Sequence, residues 1–163
     1  MDLDKVILTD TSKGDSRTSG GNPSLDDVYV ATKTHIDDIR RLMGVMCNIL
    51  HIKGLRHDWT KLEDFEDEYG YLVSHDIRDN EFLQSNWWEK HIRLERHHLK
   101  DYCPSDVNLF DVLEMIADRI VAEKGRTGEI NNNYLELNSD ILIRAYWNTI
   151  ILMDEMTEKR EDD

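Results

Sequence analysis

The sequence predicts an all-α protein, a single-domain helical bundle of about five to six helices. Three observations support this fold class. Apolar residues recur at spacings of three and four over long segments. Helix-starting residues such as Ser24 and Ser139 precede those segments, and strand signals are almost absent. The length of 163 residues suits one domain. We expect a flexible arm over residues 1–24, a helical domain over 25–158 and a frayed tail over 159–163.

The first predicted helix follows the arm, whose Ser, Thr, Gly and Asp content cannot bury much apolar area. It begins after Pro23-Ser24, and Gly54 should end it. Its predicted core stripe comprises Val28, Ala31, His35, Ile39, Leu42, Met46 and Ile49. A histidine on such a stripe either hydrogen-bonds a buried carbonyl or binds a metal ion. His35 is therefore a candidate ligand from the first helix.

The second predicted helix, roughly 57–73, begins with an adjacent imidazole and carboxylate, His57-Asp58. A carboxylate has two oxygens, so Asp58 could bridge two metal ions while His57 binds one of them. Lys61 lies one turn after His57 and can reach the same place. It is either an ordinary solvated lysine or a cation that stabilises charge on a bound phosphate.

The third predicted helix, roughly 80–100, carries a run of histidines. Its spacing places Trp87, His91 and His98 on one face, with Glu95 at the flank. His97 belongs to another face unless the helix unwinds before Pro104. We therefore favour His91 and His98 as a ligand pair. Trp87 is either a core aromatic or a surface on which a nucleobase stacks.

The fourth predicted helix, about 106–124, follows Pro104-Ser105 and bears three carboxylates. Asp111, Glu114 and Asp118 follow the edge of its apolar stripe, where a metal ligand would be anchored on a packed helix. Arg126, in the polar loop that follows, could contact an anionic substrate. The last predicted helix, about 139–158, is strongly apolar and should serve as scaffold.

Composition limits the classes of partner. The net charge of −14 disfavours nucleic acid, which requires clustered Lys and Arg. Bound divalent cations would cancel several carboxylates, so a small phosphorylated molecule remains compatible. Two cysteines predict no disulfide framework, and no apolar run is long enough for a membrane span. We expect a soluble, cytoplasmic protein with no membrane partner, which could form a homo-oligomer.

The ordered pattern resembles the HD metal-dependent phosphohydrolase superfamily. The matching residues are His35, His57-Asp58 with Lys61, His91, His97-His98 and Asp118. The segments HDWTK, HIRLERHH and MIADRI are also similar to those of short uncharacterised bacterial and phage proteins. The resemblance covers about residues 30–126. Two features depart from the larger HD enzymes: the spacing from His91 to His97-His98 is compressed, and a GYP motif is missing.

This resemblance implies an HD-like helical fold and hydrolysis of a nucleotide or related phosphoester by metal-activated water. It implies one or two divalent ions, from among Mn, Fe, Zn, Ni and Mg. The implied metal ligands are His35, His57, Asp58, His91, His98 and Asp118. Asp58 and Lys61 are the implied catalytic residues, and Lys61, Trp87 and Arg126 the implied substrate contacts. His97, Asp111, Glu114 and Glu95 are further candidates. The alternative is a non-catalytic nucleotide- or signal-binding protein that retains the metal pocket.

Overall fold

The computed structural model describes residues 5–63, 65–66, 69–70, 83–130 and 137–160. Its helices are α1 (Leu25–Arg56), α2 (Trp59–Glu63), α3 (Asn86–Leu94), α4 (Leu109–Thr127) and α5 (Ser139–Glu155). Two short strands, β1 (Val6–Leu8) and β2 (Thr157–Lys159), pair in parallel. The prediction of a mainly helical protein is confirmed. Among the described helices, none is both long and apolar enough to cross a membrane.

Contacts divide the chain into two compact units, where the sequence predicted a single bundle. The first unit comprises residues 1–49 and 150–163, and the second comprises residues 50–149. All residues that the structure gathers into a candidate site belong to the second unit. The first unit contains β1, β2 and most of α1.

Several helix ends differ from the predicted ones. Helix α1 continues through Gly54 to Arg56. His57 and Asp58 form a turn instead of starting a helix, because Asp58 has a φ of 55°. Helix α3 ends at Leu94, since the backbone of Glu95 is extended, with φ −90° and ψ 98°. Part of the predicted helix over 57–73 and of the predicted tail lies outside the described residues.

Residues 5–24, the described part of the predicted flexible arm, contact other parts of the first unit. Val6 pairs with Thr157 in the parallel strands and is buried. The backbone N–H of Thr9 then donates to Asp38 Oδ2 at 3.1 Å. Backbone pairing with a partner about 150 residues away leaves no local sequence signal, so this order was not predicted.

The predicted core stripe of α1 is not fully buried anywhere along its length. Asp38 is the helix's buried residue, whereas His35 is exposed and Ile39 is 47 % exposed. Periodicity shows which residues share one face of a helix, but it does not show whether another element covers that face. The expectation that His35 faces a core is therefore corrected.

The second unit has its core beneath α4. Its buried members are Leu99, Val107, Val112, Met115 and Ala145. Helix α4 begins with a capping box, in which Asn108 Oδ1 accepts from the Asp111 N–H and Asp111 Oδ2 accepts from the Asn108 N–H. This cap places the helix start three residues beyond the predicted one. Glu114 and Asp118, four residues apart on the helix, lie one turn apart on the same side.

We predict that Gly14→Ala destabilises the protein by about 1–3 kcal/mol, because the added methyl group would be overpacked. A Cβ at Gly14 would overlap Ala31 Cβ and would lie 2.6 Å from the backbone oxygen of Asp27. The matched control is Gly21→Ala, where a Cβ meets nothing within 4 Å. Urea unfolding of both variants tests this, and equal midpoints would contradict the close approach.

Candidate metal centre

Six side chains from four segments of the second unit converge. The turn between α1 and α2 supplies His57 and Asp58, helix α3 supplies His91, the following loop supplies His97 and His98, and α4 supplies Asp118. They form two groups, each with ligand atoms within 4.8 Å of one another: His57, Asp58, His97 and Asp118; and Asp58, His91 and His98. Asp58 belongs to both groups. A shared carboxylate is the arrangement that two neighbouring ions need.

The first group has spacings that suit a single ion. His97 Nε2 lies 3.4 Å from Asp58 Oδ1, and His57 Nε2 lies 3.4 Å from Asp118 Oδ1. His57 Nε2 also lies 3.6 Å from Asp58 Oδ2. Ligands held at about 2.1 Å from a tetrahedral ion are roughly 3.4 Å apart. Two histidines and two carboxylates therefore fit a divalent transition metal.

The second group is smaller and richer in nitrogen. His91 Nε2 lies 3.6 Å from Asp58 Oδ1 and 2.8 Å from His98 Nε2. Two imidazole nitrogens this close either share a proton or direct both lone pairs at one cation. Three protein ligands would leave coordination positions open for water or substrate.

Three buried polar atoms support metal binding independently. Among the described residues, Asp58 Oδ1 and both ring nitrogens of His97 have no hydrogen-bond partner. Burying such atoms without a partner costs free energy. A cation bound between Asp58 and His97 would satisfy two of the three. The residues present therefore fit the ion that the sequence predicts.

Carboxylates lie behind three of the histidines. Glu114 Oε1 lies 3.2 Å from His57 Nδ1 and 3.5 Å from His97 Nδ1. Asp101 Oδ2 lies 3.7 Å from His98 Nδ1. In each case Nδ1 faces an acceptor on the outside while Nε2 faces the centre. The hydrogen bond between His57 and Glu114 is the kind of outer contact that commonly fixes the tautomer and ring orientation of a metal-binding histidine.

The electrostatics of the centre favour a cation. Hydrogen bonds to Asp118 and Glu114 raise the pKa of His57 to about 10. The hydrogen bond with His57 in turn lowers the pKa of Asp118. Burial and neighbouring His98 lower the pKa of His91 to about 3, which keeps its imidazole neutral. Metal binding requires ionised carboxylates and neutral imidazoles, a state that His91 already has, whereas an ion that binds His57 must displace its proton.

Asp58 holds an uncommon backbone conformation. Across the described ranges, it is the non-glycine residue with positive φ, at 55°. Aspartate tolerates this region better than most residues, but such positions are uncommon and often functional. Burial alone would raise the pKa of Asp58, but the ammonium of Lys61, which donates to Oδ2, holds it low. Lys61 therefore neutralises Oδ2, while Oδ1 faces His91 and His97.

Trp87 packs against a ligand instead of presenting an open face to substrate. Its ring stacks on His91, with centroids 5.3 Å apart and planes 5° apart, and it is buried. The rings of Trp88 and His98 form a T-shaped pair, with centroids 5.4 Å apart. Of the two roles predicted for Trp87, the structure favours the core aromatic, because the buried ring packs on His91 and has no open face for a nucleobase.

The helix end at Leu94 explains the position of His97. Helical phase placed His97 away from the face shared by His91 and His98. Because α3 stops first, His97 and His98 lie in a loop and both turn towards Asp58. His97 is 2 % exposed. The alternative in which the helix unwinds before Pro104 is the one that the structure contains, so the phase argument does not hold here.

Other predicted candidates lie outside the two groups. His35 is exposed on α1 in the first unit and joins neither group. Buried Asp111 accepts from Lys53 and Arg96 as well as from the cap. Glu95 accepts from Thr60. These two carboxylates are therefore occupied by hydrogen bonds rather than directed at an ion.

Two cavities, each of about 480 Å³, adjoin the centre. One is cationic, and its lining includes Lys61, His97, His98, Lys100, Asp101, Asp118, Arg119, Glu123 and Arg126. Arg126 is exposed there and pairs with Glu123 at 3.1 Å. The other cavity is largely apolar, and its lining includes Leu50, Gly54, His57, Leu113, Glu114, Ala117, Asp118 and Val121. Both cavities reach Asp118.

A family model described as a family of unknown function, DUF5662, matches residues 25–142. The chain belongs to this family. The matched range contains all six residues of the two candidate ion sites. No curated protein and no solved structure matches the chain. No HD-domain family is among the matches, so the HD resemblance remains a prediction.

We predict that the purified protein binds about two transition-metal ions, one for each group of ligands. His98→Ala and Asp118→Ala should each remove about one ion, because each contributes to a single group. Asp58→Ala should remove most of both. Elemental analysis after dialysis measures this directly, with His35→Ala as the matched control that retains both ions. A normal metal content in Asp58→Ala would contradict the shared site.

Proposed function

We propose that the protein is a metal-dependent phosphohydrolase that acts on a small phosphorylated molecule, a nucleotide or a related phosphoester. The observation that carries this proposal is the shared Asp58, which belongs to two groups of ligands beside a cationic cavity. Two-metal centres recur in enzymes that cleave phosphoester bonds. The resemblance of His57-Asp58, Lys61 and the downstream histidines to HD phosphohydrolases points to the same reaction.

The charge of the cationic cavity supports an anionic substrate. The chain carries a net charge of −14, yet four cations line this one cavity: Lys61, Lys100, Arg119 and Arg126. Three carboxylates accompany them there, and one of these, Asp118, belongs to the ion-binding group. A negatively charged group bound there would lie beside His97 and His98, at the edge of both ion sites.

The apolar cavity supports a substrate that is more than a bare phosphate. Leu50, Leu113, Ala117 and Val121 provide a surface suited to a base or another apolar group. His57 and Asp118 border the same cavity. A substrate that bridges the two cavities would place its phosphoester bond next to Asp118. This arrangement fits a nucleotide better than pyrophosphate or inorganic phosphate.

The chain's own residues have separable roles in this proposal. His57, Asp58, His97 and Asp118 would hold one ion, and Asp58, His91 and His98 the other. Bound ions would supply Lewis-acid polarisation of the phosphoryl oxygens and lower the pKa of the attacking water. Lys61 and Arg126 would bind and orient the anionic group. Trp87 and Trp88 exclude water from one side of the ligand histidines.

We expect Lys61→Ala to retain its metal ions but to lose turnover by roughly 10²- to 10³-fold, as for removal of one preorganised charge stabiliser. A protonated amine cannot coordinate a cation, so Lys61 is not expected to be a ligand itself. The matched control is Lys124→Ala, because Lys124 is exposed on α4 and lines neither cavity. Phosphate release from nucleoside mono-, di- and triphosphates, with Mn²⁺ present, measures turnover.

Phosphate release, measured together with nucleotide binding, separates an enzyme from a binding protein. A sequestering protein would bind nucleotides in equilibrium dialysis and release no phosphate from any of them. That result with fully metal-loaded wild-type protein would overturn the hydrolase proposal. Unchanged turnover in Lys61→Ala would overturn the role of this lysine alone.

A further inference from the structure

His91 lies at the end of a buried chain of hydrogen bonds that the ion sites do not themselves require. Thr60 Oγ1 lies 2.7 Å from His91 Nδ1 and 2.8 Å from Glu95 Oε1. The backbone N–H of Thr60 donates to the same Glu95 oxygen at 3.1 Å. His91 and Thr60 are each 1 % exposed and Glu95 is 4 % exposed. Water therefore has little access to these bonds.

The direction of the chain follows from counting protons. Glu95 Oε1 accepts hydrogen bonds from both the backbone N–H and the hydroxyl of Thr60. The hydroxyl has one hydrogen, and this bond to Glu95 uses it. The Thr60 oxygen must then accept a hydrogen bond from the N–H at His91 Nδ1, because two facing acceptors at 2.7 Å would repel. His91 is left with its lone pair on Nε2.

We propose that Thr60 and Glu95 are positioning residues for the second ion site, which fix His91 in the tautomer whose Nε2 can bind metal. Nε2 is the atom that lies 3.6 Å from Asp58 Oδ1 and 2.8 Å from His98 Nε2. Trp87 stacks on the ring and holds its plane, while Thr60 determines which nitrogen carries the proton. The inference rests on the metal centre of the proposed function but not on hydrolysis.

The local sequence explains why Thr60 can make both contacts. Helix α2 begins at Trp59, directly after the turn that contains Asp58. The N–H of Thr60 therefore lies in the first turn of a helix, where backbone donors have no intrahelical acceptor. Glu95 satisfies this donor and the hydroxyl together. One carboxylate thus joins the turn that holds Asp58 to the segment that holds His91.

The test compares Thr60→Val, which removes the hydroxyl with little change in shape, with Thr60→Ser, which retains it. The ¹⁵N resonances of the His91 ring in the metal-free protein report which nitrogen is protonated. We expect protonated Nδ1 in the wild type and Thr60→Ser, and protonated Nε2 in Thr60→Val. Titration with Zn²⁺ should show a loss of about 10- to 100-fold in affinity for the second equivalent in Thr60→Val, with recovery in Thr60→Ser.

The matched control is Thr149→Val, a second buried threonine whose hydroxyl accepts from the Leu109 N–H and donates to the Ala145 carbonyl. It should lower the unfolding temperature but leave Zn²⁺ binding unchanged. Protonated Nε2 in wild-type His91 would overturn the inference without any variant. Undiminished second-site affinity in Thr60→Val would overturn it while leaving the metal centre in place. Absence of Zn²⁺ binding by the wild type would overturn both.

Discussion

The candidate centre depends on one buried carboxylate, Asp111. It closes the capping box of α4 and accepts hydrogen bonds from Lys53 at the end of α1 and from Arg96 after α3. Asp111 is 0 % exposed, so these partners replace the water it has lost. Removing one partner of such a buried ion pair typically costs about 3–5 kcal/mol. Helix α4, the loop after α3 and the end of α1 that leads into the turn with His57 and Asp58 are thereby tied to one point.

The ion pairs extend from this point to the histidines. Lys53 also contacts Glu114 Oε2 at 2.9 Å, and Glu114 Oε1 faces the Nδ1 atoms of His57 and His97. Burial would raise the pKa of Glu114, but contacts with His57, His97 and Lys53 hold it well below its usual range. The ionised carboxylate hydrogen-bonds His57 and lies behind the His97 ring, and the Nε2 atoms of both rings face Asp58. Helix packing and ligand geometry therefore depend on the same charges.

Much of the candidate site was accessible from the residues alone. His57, Asp58, His91, His98 and Asp118 were predicted, and the structure brings them together, with Asp58 between two groups. His97 was ranked lower, because helical phase assumed a helix that in fact ends at Leu94. His35 was ranked too high, because an apolar stripe does not reveal its own exposure. Thr60 gave no signal, since its role arises from contacts with His91 and Glu95, 31 and 35 residues away.

The sequence by itself determined the helical class and the chemical types of the ligands, since apolar periodicity and side-chain chemistry are local properties. It also determined the net charge of −14, and a cavity lined by four cations contrasts with that negative charge. Only the tertiary structure decided which nitrogen of each histidine faces the centre and which carboxylate lies behind it. Pairing of Val6 with Thr157 was equally beyond local patterns. These features depend on contacts between distant segments, and hydrogen bonds of that kind leave no period in the chain.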